Sequence, residues 1–173
     1  MYIALTLIGL SGCTCQIEEQ GCPEIVAPWL YVSLLSESAP IQSVRTIQGV
    51  TNWYVHDEDG NFCGGFLSDS PHSLQLSQAD LDRVTLFLEN GSNEIELQFS
   101  TPPHSISVRR WYAVYAEKSH EDKPFDRYEI IEVDGYVIHI VDDGNDYIYE
   151  VYARWFEGLS LYTFRTESSL SFQ

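Results

Sequence analysis

From Trp29 onward the chain reads as short alternations of apolar and polar residues cut by turn formers. Along Tyr147 to Phe156, residues Tyr147, Tyr149, Val151, Ala153 and Trp155 alternate with Ile148, Glu150, Tyr152 and Arg154. A period of two places each set on one face of a strand. The same pattern predicts strands over Trp29–Leu35, Val44–His56, Phe62–Leu67, Val84–Glu89, Glu94–Ser100, Ser105–Glu117, Tyr128–Val133, Tyr136–Val141 and Leu159–Arg165. Within the Ser105 strand, Ile106, Val108, Tyr112 and Val114 share a face, with Arg110 as an exception. Gly49 marks a β-bulge in the Val44 strand. Asp59-Gly60, Asn90-Gly91 and Asp134-Gly135 predict hairpins, the last through a type I′ turn. Ser77–Leu81 predicts a helical turn, Pro102-Pro103 a break in pairing, and Lys118–Asp126 a charged loop. Short strands with turn signals roughly every 8–15 residues predict an all-β antiparallel sandwich or barrel.

The first residues break this pattern. Tyr2 to Leu10 is almost wholly apolar. It is too short to span a bilayer, which needs about 20 residues, but it fits the hydrophobic region of a secretory signal. It ends in Leu10-Ser11-Gly12-Cys13, which is similar to the bacterial lipobox: Leu, two small residues, then the Cys whose thiol takes a diacylglycerol. The small residues suit cleavage just before that Cys. A basic stretch normally precedes such a run, and here only Met1 and Tyr2 do. The expected organisation is a lipoprotein signal peptide over 1–12, the lipidated Cys13 and a flexible tether over 13–24, a β-sandwich domain over 25–166 and a frayed tail over 167–173.

Charge narrows the partners. With 9 Lys and Arg against 26 Asp and Glu, the net charge is −17. Such a surface repels nucleic-acid phosphates and anionic lipid headgroups. Membrane attachment therefore has to be covalent or inserted, and no nucleic acid is expected as a partner.

Candidate chemistry is sparse. Of the four cysteines, lipidation of Cys13 leaves Cys15, Cys22 and Cys63, an odd number. Cys22–Cys63 is one possible bridge, which would clip the tether to the domain. The histidines His56, His72, His104, His120 and His139 form no metal-binding pair by spacing. Asp57-x-Asp59-Gly60-Asn61 starts like a Ca²⁺ loop but has Ser68 where the closing Glu belongs. Asp142 to Asp146 reads as a solvated turn that could at most hold Ca²⁺ weakly. No nucleophile motif is present, so neither a catalytic residue, a metal site nor a cofactor is expected. Trp53, Trp111 and Trp155 fall in strands. Exposed, they could stack on sugar rings; buried, they are core.

Ala27-Pro28-x-Leu30-x-Val32, Gly49-x-x-x-Trp53, Asp69-Ser70-Pro71-His72-x-Leu74, Ile106–Trp111 and Tyr147–Trp155 followed by Tyr162-x-Phe164 occur in this order. In that order they resemble a group of uncharacterised lipoprotein and sensor-associated β domains of Gram-positive bacteria. The resemblance implies an extracytoplasmic, immunoglobulin-like β-sandwich, of roughly nine strands by the pattern above. It brings no activity and no catalytic residue. The expected function is a non-enzymatic, membrane-anchored surface module that binds another protein or an envelope component. The alternative is a carbohydrate-binding module acting on a cell-envelope glycan through exposed aromatics.

Overall fold

The computed structural model describes residues 28–35, 42–57, 59–68, 76–113 and 128–172. The signal and tether segments, the Asp69–Leu74 motif and the charged loop at 118–126 lie outside them. The described strands are β1 (Leu30–Leu35), β2 (Gln42–Arg45), β3 (Ile47–His56), β4 (Phe62–Ser68), β5 (Thr85–Phe87), β6 (Ser92–Phe99), β7 (Ser105–Tyr112), β8 (Glu129–Ile131), β9 (Val133–Asp134), β10 (Val137–Val141), β11 (Tyr147–Arg154) and β12 (Gly158–Glu167). They form a sandwich. The smaller sheet runs β2-β1-β6-β10-β9; the larger runs β4-β3-β12-β11-β7-β8, with β5 added beside β12. Twelve strands are more than the seven to nine of immunoglobulin domains. All pairings are antiparallel except β5 with β12.

The alternation read from the sequence is what builds the core. Leu30, Val32 and Leu34 of β1, Ile95 and Leu97 of β6, and Ile138 and Ile140 of β10 face Val108, Tyr149, Val151, Tyr162 and Phe164 of the larger sheet in one buried cluster. Each such side chain contributes about 1.5–3 kcal/mol by leaving water. The Tyr149 and Phe164 rings, paired across β11 and β12, stack 4.8 Å apart at 8°. A second apolar cluster covers part of the larger sheet's outer face. There Leu76, and Leu81 of the short helix α1 (Gln78–Asp82), pack with Trp111, Ala113 and Ile148. Ser77 caps that helix by accepting the Asp80 N–H at 3.2 Å.

Several elements differ from the sequence reading. The predicted strand Val44–His56 is two strands, because Thr46 carries the chain from one sheet to the other. Its N–H and hydroxyl donate to the Leu30 carbonyl at 3.1 and 2.9 Å and fix that corner. The bulge at Gly49 is present: the β3–β12 register shifts between Ser160 and Tyr162, opposite Gln48 to Thr51. Val84–Glu89 and Glu94–Ser100 do not make a hairpin. β5 joins the larger sheet and β6 the smaller. Asn93 holds the connection, accepting the Glu89 N–H at 2.9 Å and donating to the carbonyls of Glu89 and Gly91. Tyr128–Val133 divides likewise, with β8 on β7 and β9 on β10. The β9–β10 turn has positive φ at Gly135 alone and at no non-glycine residue. That is the pattern of a type II′ turn rather than I′.

Gly158 opens β12 directly beside β3, and a Cβ there would overlap the Asn52 carbonyl and crowd the Trp53 Cα. Both are backbone atoms, so the strands themselves must part. Gly158→Ala is expected to cost about 3 kcal/mol, measured as a lower denaturant midpoint at unchanged slope.

β12 continues to Glu167, and a 3-10 turn follows at Ser169–Phe172.

Candidate functional site

The three indoles proposed from sequence as ligand-binding aromatics are placed in the interior. Trp53, Trp111 and Trp155 are all buried. Trp53 and Trp155 pack 5.3 Å apart in the core between the sheets, and Trp155 Nε1 donates to the Thr101 carbonyl at 3.0 Å. Trp111 lies on the opposite face of the larger sheet, under α1. None presents a ring face to a sugar, and the reading that relied on them is corrected. Trp53 and Trp155 turn inward with the alternation of their strands, whereas Trp111 faces outward and is buried among Leu76, Leu81 and Ile148.

On the outer face of the larger sheet lies a polar group that sequence reasoning missed. Glu150 has no exposed side-chain surface, although it sits among the nominally solvent-facing positions of β11. It accepts from Arg109 Nε across the β7–β11 pair and from Trp111 Nε1 and Tyr152 Oη, each of the latter at 3.3 Å. The Arg109 guanidinium lies over the rings of Trp111, Tyr128 and Tyr152 at 5.4, 5.0 and 4.6 Å. Burial, reinforced by the Glu150 charge, pushes the Tyr152 hydroxyl up to about 12. This is an aromatic cage filled by the protein's own arginine. Its charges are matched internally, which suits locking a face rather than capturing a ligand.

Arg110, the exception noted on the apolar face of β7, closes one edge of the core. Its guanidinium sits 3.9 Å from the centre of the Tyr147 ring and its Nε donates to Glu129 at 2.7 Å. Burial alone would lower its pKa, but the Glu129 carboxylate and the neighbouring Tyr149 oxygen outweigh that and raise it. The buried Tyr149 hydroxyl lies beside it without a hydrogen bond of good geometry.

The acidic turn Asp142–Asp146 is an anchor rather than a solvated loop. Asp142 is buried. It accepts from Ser168 Oγ at 2.5 Å, Ser169 N at 3.0 Å, Ser169 Oγ at 2.8 Å and Gly144 N at 3.1 Å. Asp146 accepts from Ser168 N at 2.9 Å and Arg165 at 3.3 Å. Asp143 accepts from Tyr147 Oη at 2.8 Å. These contacts pin the chain's end and engage the oxygens a cation would need.

Burial works to raise the Asp142 carboxyl, but the bonds from Ser168, Ser169 and Gly144 hold it below the usual range. A carboxyl lowered on folding stabilises above its unfolded pKa of about 3.9 and loses that contribution as pH falls through the folded value. Asp142→Asn is therefore expected to cost about 1–2 kcal/mol at pH 7. The gap in melting temperature between variant and wild type should close near pH 2; a gap that stays constant would show that the carboxylate charge is not the cause.

Exposed aromatics gather elsewhere. Phe156, at the tip of the β11–β12 turn, is 93 % exposed, and Phe62 at the start of β4 is 64 % exposed. The His104 ring stacks on Phe156 at 4.9 Å and 28°. Tyr54 N donates to the Glu157 carbonyl at 2.6 Å, bringing the end of β3 to the same turn, and the Tyr54 and Phe62 rings are 6.3 Å apart. Cys63, the residue after Phe62, is disulfide-bonded. Cys22, the partner considered from sequence, and Cys13, the lipidation candidate, lie outside the described residues. No helix among the described residues is long and apolar enough to cross a membrane.

No family model, no curated protein and no solved structure matches this chain.

Proposed function

We propose that the chain is a lipid-anchored extracytoplasmic module that docks on another protein or an envelope component and performs no catalysis. The observation that carries this is the pairing of two features. Leu10-Ser11-Gly12-Cys13 closes the apolar N-terminal run, and a cysteine of the sandwich, Cys63, is oxidised. Disulfides persist outside the reducing cytosol, so the bridge is independent support for an exported chain. The sandwich supplies a rigid scaffold. Among its described cations, Arg109, Arg110 and Arg165 are already engaged by carboxylates of the same chain. What remains outward is strongly acidic, which disfavours phosphate backbones and suits a partner that is neutral or basic.

Detergent phase separation of whole cells tests the anchor. The chain is expected in the detergent phase, and mass spectrometry is expected to find a thioether-linked diacylglycerol on Cys13. A free Cys13 thiol in the mature protein overturns the reading. Crosslinking on intact cells tests the docking role and is expected to recover a discrete partner; recovery of no reproducible partner counts against it.

A further inference from the structure

The connection from β5 to β6 passes through Gly91 with φ of 103°, a left-handed conformation that glycine takes without strain. Apart from its chain neighbours, nothing lies within 4 Å of where a Cβ would stand. The loop thus demands a glycine in open space, and it stands directly after the exposed Asn90. Asparagine is among the thermolabile residues. Of the five asparagines Asn52, Asn61, Asn90, Asn93 and Asn145, only Asn90 precedes a glycine. The others precede Trp53, Phe62, Glu94 and Asp146, whose side chains crowd the intervening nitrogen. The amides of Asn61, Asn93 and Asn145 are also held by hydrogen bonds. Among the described residues, neither the Asn90 amide nor the Gly91 N–H has a hydrogen-bond partner.

We propose that Asn90 is a site of spontaneous covalent modification, where the folded chain converts its own amide to aspartate and isoaspartate. The Gly91 nitrogen attacks Asn90 Cγ. The N–Cγ bond forms, the Cγ–Nδ2 bond breaks, and ammonia leaves with the proton that Gly91 gives up. Water then opens the cyclic imide. Opening at Cγ gives aspartate. Opening at the main-chain carbonyl gives isoaspartate, and the chain then runs through Cβ and Cγ. Water is the only co-reactant, and nothing is oxidised or reduced.

Both products add a negative charge, but isoaspartate also puts an extra atom into the main chain between Glu89 and Gly91. That stretch is the one Asn93 clasps. Asn93 accepts the Glu89 N–H at 2.9 Å and donates to the carbonyls of Glu89 and Gly91 at 2.8 and 3.0 Å. The Gly91 carbonyl also accepts the Asp142 N–H at 2.9 Å. Asp142 in turn holds the chain's end through Ser168 and Ser169. Lengthening the loop draws the Gly91 carbonyl away from both donors. The connection between the sheets therefore records the chain's age and passes the change to the C-terminal anchor.

The full chain is kept folded in heavy-oxygen water at neutral and mildly alkaline pH and followed by peptide mapping with mass spectrometry. Asn90 is expected to convert ahead of every other asparagine, to take up one heavy oxygen and to yield both products. Its rate is expected to rise in proportion to hydroxide, because the Gly91 nitrogen must give up its proton. Asn90→Gln, whose longer side chain closes a larger ring, is expected to keep its amide over the same period. In the separated isoaspartyl fraction, the Asp142 amide is expected to exchange hydrogen several-fold faster than in fresh chain. Conversion of Asn61 or Asn145 before Asn90, or conversion of Asn90 only after unfolding in urea, overturns the site. Equal Asp142 exchange in the two samples overturns the link to the anchor.

Discussion

Replacing Cys13 with Ser is expected to move the chain from the membrane to the soluble fraction. A serine hydroxyl cannot form the thioether that the thiol makes with diacylglycerol. Each buried methylene contributes about 0.8 kcal/mol, and a single acyl chain anchors only marginally, so an anchor on Cys13 needs the two chains a diacylglycerol brings. Among the described residues no helix is long and apolar enough to replace them. With a net charge of −17, the chain gains nothing from anionic headgroups. Membrane and soluble fractions are compared by immunoblot, with Cys63→Ser as a companion. The companion removes a bridged sulfur without touching the lipidation position and is expected to stay on the membrane. Equal membrane association of Cys13→Ser and wild type would remove the anchor from the account.

The sandwich was legible because its core is written in period two. Tyr147, Tyr149, Val151 and Ala153 alternate in sequence and turn inward together. What could not be read was which strand lies beside which. Glu150 looks like an ordinary solvent-facing position until β11 is placed beside β7, which sets Arg109 opposite it, and until α1 covers the neighbouring Trp111 and Ile148. Asp142 looks like turn chemistry until β12 brings Ser168 and Ser169 to it. The indoles posed a choice between core and ligand surface that composition cannot make, whereas the exposed ring of Phe156 sits beside a Glu-Gly turn that marks it as a loop tip. Sheet changes at Thr46 and Glu132 carry no breaker residue, so the pattern ran straight through them. Local periodicity reports which face a residue takes; it does not report what the far face meets.

Glu150→Ala is expected to be the most damaging change on that covered face, lowering stability by about 2–4 kcal/mol. The substitution removes the carboxylate that receives Arg109 Nε, Trp111 Nε1 and Tyr152 Oη together. A half-buried guanidinium then loses its countercharge while keeping its place among three rings. Burial of a pair like this adds little net stability, since desolvation offsets attraction, but removing one member leaves the other's desolvation uncompensated. Glu150→Gln separates the two contributions: it keeps an acceptor and the shape but not the charge, and about half the loss is expected. For a domain of this size the Ala variant should melt roughly 10 °C lower. The double variant Arg109→Met with Glu150→Leu should recover most of that, because apolar side chains of similar volume can stand on a face already closed to water. If Glu150→Ala melts with the wild type, the carboxylate is solvated and the face is open. If the double variant melts as low as the single one, packing and not the ion pair is what holds α1 to the sheet.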